Sequence, residues 1–322
     1  MAVIGTDVTE AARRLKAGEV VAVPTETVYG LAANALNRQA VLQIFKIKHR
    51  PSFDPLIVHC VNVEEAFRYA VRVPPAAFVL AEKFWPGPLT LVLPSRGVVP
   101  EVVNAGLPTV ALRVPAHPLL IQLLHQVDFP LAAPSANPFG YVSPTQASHV
   151  YEQLGDKIGY ILDGGPCQYG LESTIIGFEK NKPVLLRLGA IPTAQLLQLF
   201  PDITFKIQVS SNPLAPGQLT SHYAPRKKVL WCQDFEESSD SDPLTAYLVF
   251  GSKRPAHAPS TNILNLSEQG NYHEAARNLY HLLRQFDAGP WHRLKVFPLP
   301  EDDEGLAHTI NDRLRRAAAS FS

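Results

Sequence analysis

The sequence has few cysteines and no long apolar run. Its three cysteines, Cys60, Cys167 and Cys232, lie far apart and form no Cys-x-x-Cys pair. This argues against a disulfide framework or a zinc site and favours free thiols in a reducing compartment. No apolar run approaches the length of a membrane span, and residues 1–9 lack the basic and then apolar segments of a signal peptide. We therefore expect a soluble, cytoplasmic protein.

An excess of charge of either sign is also missing. The chain of 322 residues has 29 Lys and Arg against 29 Asp and Glu. No global basic field indicates a nucleic-acid partner, although a local basic groove stays open. Its 46% hydrophobic and 18% charged residues are typical of a globular protein. The length exceeds that of a usual single core, which predicts two domains.

Several common catalytic motifs are absent as well. The chain has no G-x-x-x-x-G-K-[ST] loop, no G-x-G-x-x-G after a strand, no H-E-x-x-H and no G-x-S-x-G. These absences exclude an ordinary P-loop enzyme, dehydrogenase, zinc protease or α/β-hydrolase. A nucleotide, if the chain binds one, must be held by another kind of cradle.

Residues 1–207 alternate short β-rich runs with helical stretches, which predicts an α/β sheet domain. Asn37 is a candidate N-cap for a helix that should end before Pro51. The predicted strands are residues 18–24, 55–60, 89–93, 110–114 and 174–178.

The composition changes after residue 207. Residues 208–226 are polar and proline-containing, which predicts an extended linker. Residues 227–322 predict a second, smaller α/β domain. Its strands should lie near 229–231, 245–250 and 293–298, and its helices near 272–286 and 310–319.

Residues 24–31 follow a predicted strand, where open α/β sheets place their ligands. Thr25, Glu26, Thr27 and Tyr29 supply two hydroxyls, a carboxylate and a phenol within five residues. A strand-to-helix turn with a threonine cap explains the segment equally well.

Residues 46–51 concentrate positive charge, and Asp54 and His59 follow soon after. Lys48 and Arg50 suit a polyphosphate clamp, because lysine offers a point charge and arginine a planar fork. The alternative is a solvated helix end, where cations offset the helix dipole. His59 ends a predicted buried strand and could equally be a core histidine.

Two arginines interrupt apolar runs, Arg113 within residues 109–115 and Arg187 within residues 186–189. A buried arginine is costly without an anionic partner. For Arg113 that partner could be a carboxylate of the protein or the carboxylate of a bound ligand.

Small residues dominate residues 132–138, and Ser135, Asn137 and Ser143 could bond a closely approaching ligand there. Caps and turns remain the alternative. Residues 163–165 and 170–176 form a further glycine-rich and hydroxyl-rich stretch.

Each of these signals is weak alone, but their order resembles that of one family. The set is similar to the ordered motifs of the Sua5/YrdC/YciO superfamily over most of residues 10–200. Residues 222–225, His-Tyr-Ala-Pro, resemble its interdomain linker, and residues 305–316 resemble the C-terminal domain of its Sua5 branch. The matching segments are residues 24–31, 48–59, 109–115, 133–145, 172–177 and 187–189.

The resemblance implies a twisted open mixed sheet of YrdC-like type, with a smaller Rossmann-like Sua5 domain. It implies synthesis of L-threonylcarbamoyladenylate from L-threonine, bicarbonate and ATP, with release of pyrophosphate, for threonylcarbamoyladenosine in tRNA. The reaction needs positioning and charge stabilisation but no protein nucleophile. Mg²⁺ should accompany the triphosphate. A tRNA threonylcarbamoyl-transfer machinery is the expected partner.

The resemblance also implies roles for individual residues. Lys48 and Arg50 would act electrostatically. Threonine would contact Thr27, His59, Arg113, Ala133 and Ser173. ATP would contact Lys48, Arg50, Asp54, Thr109, Ser135, Asn137, Ser143, Arg187 and Tyr223. No metal ligand is assigned, although Asp54 beside a triphosphate could help to hold a metal.

The linker departs from the family pattern. Residues 215–221 lack the family's basic and tyrosine positions, although His222 and Tyr223 remain. We expect the linker to close over the site as a lid and exclude water from a hydrolysable mixed anhydride.

Two alternatives remain open. An RNA-binding module of the same fold would need phosphate contacts but no threonine pocket. Carbamoyl transfer from carbamoyl phosphate occurs in relatives that carry zinc-finger and acylphosphatase modules, and this sequence shows neither.

Overall fold

The computed structural model describes residues 1–207, 223–235, 242–301 and 304–319. The predicted linker therefore lies largely outside the described residues, including residues 215–221 and His222. Within the described part, no helix combines the length and the apolar character needed to cross a membrane.

Residues 1–207 form one mixed α/β layer. Its eleven strands, β1 to β11 in chain order, are Val3–Gly5, Val21–Val23, Gly30–Asn34, Ile57–His59, Leu89–Pro94, Thr109–Arg113, Leu131–Ala132, Tyr160–Leu162, Thr174–Glu179, Lys182–Arg187 and Thr204–Phe205. They lie side by side in the order β1-β8-β2-β3-β7-β4-β6-β5-β9-β10-β11, with parallel and antiparallel neighbours.

Eight helices join these strands. In chain order, α1 to α8 are Val8–Lys16, Arg38–Lys48, Val63–Arg68, Pro75–Phe84, Glu101–Asn104, Pro118–Gln126, Ala147–Leu154 and Thr193–Leu199. The predicted twisted mixed sheet is confirmed, as are the strands that the apolar runs indicated.

Strand alternation gives this sheet two different faces. In β2, Val21 and Val23 pack with helices α1 and α6, whereas Ala22 joins the main core with α2, α4 and α7. This is the two-residue period of a strand buried on both sides. Further along the sheet, six apolar side chains form a separate small cluster on one face: Ile57, Val92, Ala111, Ile175, Val184 and Leu186.

Helix α2, which packs in the main core, shows how local sequence fixes an element. The side chain of Asn37 accepts hydrogen bonds from the amides of Gln39 (3.0 Å) and Ala40 (3.2 Å), which confirms the predicted N-cap. The helix ends at Lys48, because His49 takes a left-handed conformation with φ 54°. The position of Lys48 at the end of the helix is thereby fixed, and its side chain contacts the Ser135 carbonyl.

A second, smaller α/β lobe contains the described residues beyond 222. Four parallel strands, β12 to β15, are Lys228–Trp231, Thr245–Val249, Ile263–Asn265 and Arg293–Val296, in the spatial order β12-β15-β13-β14. Helices α9 (Tyr272–Ala288) and α10 (Leu306–Ala318) pack against each other beside them. A smaller second α/β unit was predicted, and this expectation is confirmed.

The cap of α2 generates a stability prediction. Replacing Asn37 by alanine removes the only side-chain acceptor described for the first amides of the helix, so the free energy of unfolding should fall by about 1 kcal/mol. Asn37→Asp keeps an accepting oxygen and should remain close to wild type. Chemical denaturation measures both variants, and an equal loss in the two would contradict the capping role.

Candidate active site

A polar pocket of about 580 Å³, including its open mouth, lies where β4 and β6 end. These strands are parallel, and their register pairs His59 directly with Arg113. Carboxyl ends of parallel strands are the usual ligand position in open α/β sheets. The described lining is Thr25, Thr27, Val28, Gly30, Arg50, Pro55, Leu56, Ile57, His59, Arg113, Ala133, Pro134, Ser135, Glu172, Ser173, Arg187 and Tyr223.

All five residues predicted for threonine line this pocket. They come from five separate segments of the chain. Thr27 lies between β2 and β3, Ala133 follows β7, and Ser173 precedes β9. His59 and Arg113 are the last residues of β4 and β6. The motifs are thus distant in sequence but adjacent in space.

The first motif folds as a tight hydroxyl turn. The Thr25 hydroxyl accepts hydrogen bonds from the amides of Thr27 (3.0 Å) and Val28 (3.1 Å) and lies 2.7 Å from the Thr27 hydroxyl. Both threonines are fully buried. The turn leads into strand β3 and not into a helix, so neither threonine is a helix cap, and the Thr27 hydroxyl is fixed at the pocket wall.

Arg113 finds its anionic partner in Glu26. Arg113 Nη2 donates to Glu26 Oε1 at 2.6 Å, and both side chains are buried. Arg113 Nε also donates to the Gly87 carbonyl at 3.4 Å. The second oxygen of Glu26 accepts no hydrogen bond among the described residues. A protein carboxylate thus satisfies the arginine here, and its contact with a ligand carboxylate stays a prediction.

His59 is held uncharged. Burial, together with the nearby Arg113, lowers the pKa of His59 to about 3. Its Nδ1 atom is buried and accepts no hydrogen bond within the described part of the chain. The imidazole is therefore a neutral group that can accept a hydrogen bond in the pocket.

Ser173 is fixed from two sides. Its hydroxyl lies 2.7 Å from the Thr90 hydroxyl on β5. Arg187 Nη2 donates to the Ser173 carbonyl at 2.7 Å and to its hydroxyl at 3.1 Å. Arg187 thus both lines the pocket and orients a neighbouring lining residue.

The residues predicted for ATP divide into three groups. Arg50, Ser135, Arg187 and Tyr223 line the pocket. Lys48, Asp54, Asn137 and Ser143 are buried and absent from its lining, and all but Asn137 contact a lining residue, which is Ser135, Arg50 and Glu172 respectively. Thr109 begins β6, at the opposite end from Arg113, and lines a second cavity with Val92, Val184 and Leu186.

Lys48 supports the wall formed by residues 135–137. Its ammonium donates to the Ser135 carbonyl at 2.6 Å and also to the Asn137 carbonyl. Burial lowers the pKa of Lys48 well below its ordinary value. In this structure Lys48 therefore holds the small-residue loop, and direct contact with phosphate remains a prediction.

Arg50 and Asp54 form a buried pair beside the pocket. Arg50 Nη2 lies 2.9 Å from Asp54 Oδ2, and the arginine also donates to the carbonyls of Asp54 and Pro55. Neither carboxylate oxygen of Asp54 has a hydrogen bond of good geometry among the described residues. Burial raises the pKa of Asp54, and the charges of Arg50, Lys48 and Arg187 oppose that rise.

Several residues of this site were not assigned from the sequence. Glu26 and Glu172 lie inside predicted motifs, but spacing alone did not reveal that each pairs with a distant arginine. Glu172 accepts a hydrogen bond from Arg313 of α10. One signal was present, because Arg313 lies three residues after Ile310, on the buried face of that helix. An arginine at such a position needs a partner.

The pocket favours an anionic ligand. Arg50, Arg113 and Arg187 line it, whereas Glu172 is the one acidic residue in its described lining. Among the described residues, no three His, Cys, Asp or Glu side chains come together as a metal site. The arrangement suits binding and electrostatic stabilisation of phosphate and carboxylate groups more than nucleophilic catalysis.

Two family models match the sequence of this chain. The profile of the Sua5/YciO/YrdC family, described as "Telomere recombination", matches residues 13–189. A second profile, described as "Threonylcarbamoyl-AMP synthase, C-terminal domain", matches residues 191–319. Together they span nearly all of the described chain.

Individual relatives are similar over the same length. The threonylcarbamoyl-AMP synthase of Pyrococcus abyssi is 38% identical over 319 residues, covering 96% of this chain and 93% of that protein. The Bacillus subtilis protein of the same name is 36% identical, covering 97% and 92%. A crystal structure of P. abyssi Sua5 complexed with L-threonine superposes with a TM-score of 0.86 and 35% identity, covering 99% of this chain and 97% of that one.

Burial of His59 predicts an acid-sensitive fold. The unfolded chain protonates this histidine near pH 6.5, whereas the folded protein does so only near pH 3, so stability is lost as the pH falls. Between pH 7 and pH 5, His59 alone should cost about 2 kcal/mol. Between the same two pH values, the free energy of unfolding of His59→Gln should fall by about 2 kcal/mol less than that of wild type, as measured by chemical denaturation.

The comparison has internal controls. His149 is also buried with its pKa lowered to about 3, and its contribution cancels because both proteins contain it. His125 is an exposed histidine on α6, and His125→Gln should behave as wild type does. Identical pH dependence in His59→Gln and wild type would show that His59 is not held neutral.

Proposed function

We propose that this chain, which belongs to the Sua5/YrdC/YciO family, is a threonylcarbamoyl-AMP synthase. The carrying observation is the single pocket that gathers Thr27, His59, Arg113, Ala133 and Ser173 among three arginines. Such a pocket suits a small amino acid next to a polyphosphate. Relatives bearing that enzyme name cover more than nine-tenths of the chain, which supports the whole activity.

Threonine binds through its carboxylate at Arg113. Within the described residues the hydrogen bonds of Arg113 use Nε and Nη2, which leaves Nη1 for a second carboxylate. Glu26 holds the guanidinium in place, since its own partner is that same arginine. The hydroxyls of Thr27 and Ser173 offer hydrogen bonds to the remaining polar groups of the amino acid.

His59 favours the reactive form of the amine. The threonine nitrogen can attack bicarbonate-derived carbon dioxide only after it loses its ammonium proton. His59 is a neutral imidazole that can accept a hydrogen bond from the uncharged amine, and the ammonium proton leaves to solvent. The amine and bicarbonate then give a carbamate and water.

ATP supplies the group that activates this carbamate. A carbamate oxygen attacks the α-phosphate, the bond to the β-phosphate breaks, and pyrophosphate leaves with the electron pair. Arg50 and Arg187 stabilise the negative charge that develops on the phosphates, and Lys48 holds the loop of Ser135 and Asn137 beside them. The small apolar cluster that contains Ile57 and Val92 also lines the cavity beside Thr109, and its apolar surface suits the adenosine.

A divalent cation, Mg²⁺, accompanies ATP in this proposal. Mg²⁺ typically uses one or two carboxylates together with substrate phosphates and water, so a dedicated protein cage is not required. Asp54 is the candidate ligand, because its buried Oδ1 accepts no hydrogen bond among the described residues, whereas its Oδ2 lies 2.9 Å from Arg50 Nη2. When bound, the ion would neutralise charge on the phosphates as pyrophosphate departs.

The wider assignments are part of the same proposal. Threonine, bicarbonate and ATP are the substrates, and the product passes to a cytoplasmic tRNA threonylcarbamoyl-transfer machinery. The product is a mixed anhydride that water hydrolyses, which favours transfer to an acceptor soon after synthesis.

The role of Arg113 can be tested by substitution. Arg113→Ala should abolish threonine-dependent release of pyrophosphate, because it removes the charge that binds the threonine carboxylate. Arg68→Ala changes an exposed arginine on α3 and should leave activity at the wild-type level. Pyrophosphate release with and without threonine measures both variants.

A second variant separates binding from folding. Arg113→Ala leaves Glu26 buried without its partner, which alone could unfold the protein. The double variant Glu26→Gln/Arg113→Met removes both charges and should fold yet remain inactive. Near-normal turnover in either variant would contradict the assignment of the threonine carboxylate.

A further inference from the structure

Glu172 connects the pocket with the smaller lobe. It lines the pocket and directly precedes Ser173. Its Oε1 accepts a hydrogen bond from the Ser143 hydroxyl at 2.7 Å. Its Oε2 accepts from the Tyr280 hydroxyl at 2.8 Å and from Arg313 Nε at 3.0 Å. Two of these three donors belong to helices α9 and α10 of the smaller lobe.

The same two side chains hold a second lining residue. The Arg313 guanidinium lies 4.6 Å from the centre of the Tyr223 ring, and Tyr280 stacks on that ring at 5.7 Å. Arg313 Nη2 also donates to the Leu188 carbonyl at 2.6 Å. Arg313 and Tyr280 therefore touch two walls of the pocket without lining it themselves.

Stabilisation of the contact between the two lobes does not by itself explain why Glu172, Arg313 and Tyr280 are buried together. Arg313 and Tyr280 are fully buried and Glu172 nearly so, and a buried ion pair is often no more stabilising than apolar residues of similar size. Other contacts between the lobes join neutral acceptors or lie away from the pocket lining, such as Arg277 to the Gln168 carbonyl at 3.2 Å, Thr309 to the Gly189 carbonyl at 3.1 Å and Tyr141 to Asp287 at 2.6 Å. In the Glu172 cluster, hydrogen bonds from the smaller lobe reach a charged side chain that lines the pocket.

Orientation of Glu172 matters because of its charge. Burial would raise the pKa of Glu172, but Arg313, Arg187 and the hydrogen bonds from Ser143 and Tyr280 outweigh it and hold the pKa below its ordinary value. The carboxylate is thus an anion that interacts electrostatically with Arg187. If its donors were lost, it could turn toward Arg187 and compete with an anionic substrate there.

We propose that Arg313 and Tyr280 are positioning residues for the synthase reaction. They hold the Glu172 carboxylate away from the arginines of the pocket and keep Ser173 in place. The inference rests on the proposed function and gives the smaller lobe a specific part in it. The smaller lobe contributes the two donors that orient Glu172 but do not themselves line the pocket.

Tyr280→Phe tests the proposal with little change in packing. Loss of a hydrogen bond to a charged group should lower kcat/KM for threonine and ATP roughly tenfold or more, mainly through higher KM. Tyr272→Phe is the matched control, because it removes a hydroxyl on the same helix that donates to the Pro300 carbonyl. That control should keep wild-type kinetics.

A double-mutant cycle distinguishes positioning from general destabilisation. In a Glu172→Gln background the competing charge is gone, so adding Tyr280→Phe should cost much less than it does alone. Arg313→Lys should retain part of the activity, since it keeps the charge. Additive losses in the cycle, or a normal kcat/KM in Tyr280→Phe, would overturn the proposal. An inactive wild-type enzyme would instead refute the synthase function itself.

Discussion

Positive charge held out of water is the constraint on which this site depends. Arg50, Arg113, Arg187 and Lys48 are all buried, and a buried cation is tolerated only with a partner. Asp54 lies beside Arg50, Glu26 pairs with Arg113, Ser173 accepts from Arg187, and two main-chain carbonyls accept from Lys48. Each partner fixes the direction of its cation, so the positive groups are oriented before a ligand arrives. Such preorganisation is how a site without a nucleophile stabilises a phosphate-transfer transition state.

Local features of the sequence allowed much of the fold to be predicted. The apolar runs gave the main strands, and Asn37 marked the start of α2. The isolated arginine on β6 indicated an anionic partner correctly, but its identity was left open. Glu26 lies 87 residues from Arg113, and nothing local to either residue encodes their contact. Only the strand order of the sheet brings them together.

The direction of side chains was the least predictable property. Lys48 and Arg50 are close in sequence, but Arg50 lines the pocket while Lys48 points to the carbonyls behind its wall. Thr109 and Arg113 share strand β6, yet they lie at its opposite ends, next to different cavities. The Glu172–Arg313 contact spans 141 residues and joins two lobes. Motif order therefore indicated the family and the pocket, whereas the pairing within it required the fold.

Mass spectrometry of the reaction products tests the central claim most directly. The purified chain would be incubated with ATP, Mg²⁺, ¹³C-bicarbonate and threonine labelled at its nitrogen, and the nucleotide products would be analysed at once. The account predicts an adenylate that carries both labels, together with pyrophosphate, and its loss when threonine is omitted. Nucleotide products that carry neither label, in the presence of all substrates, would contradict it.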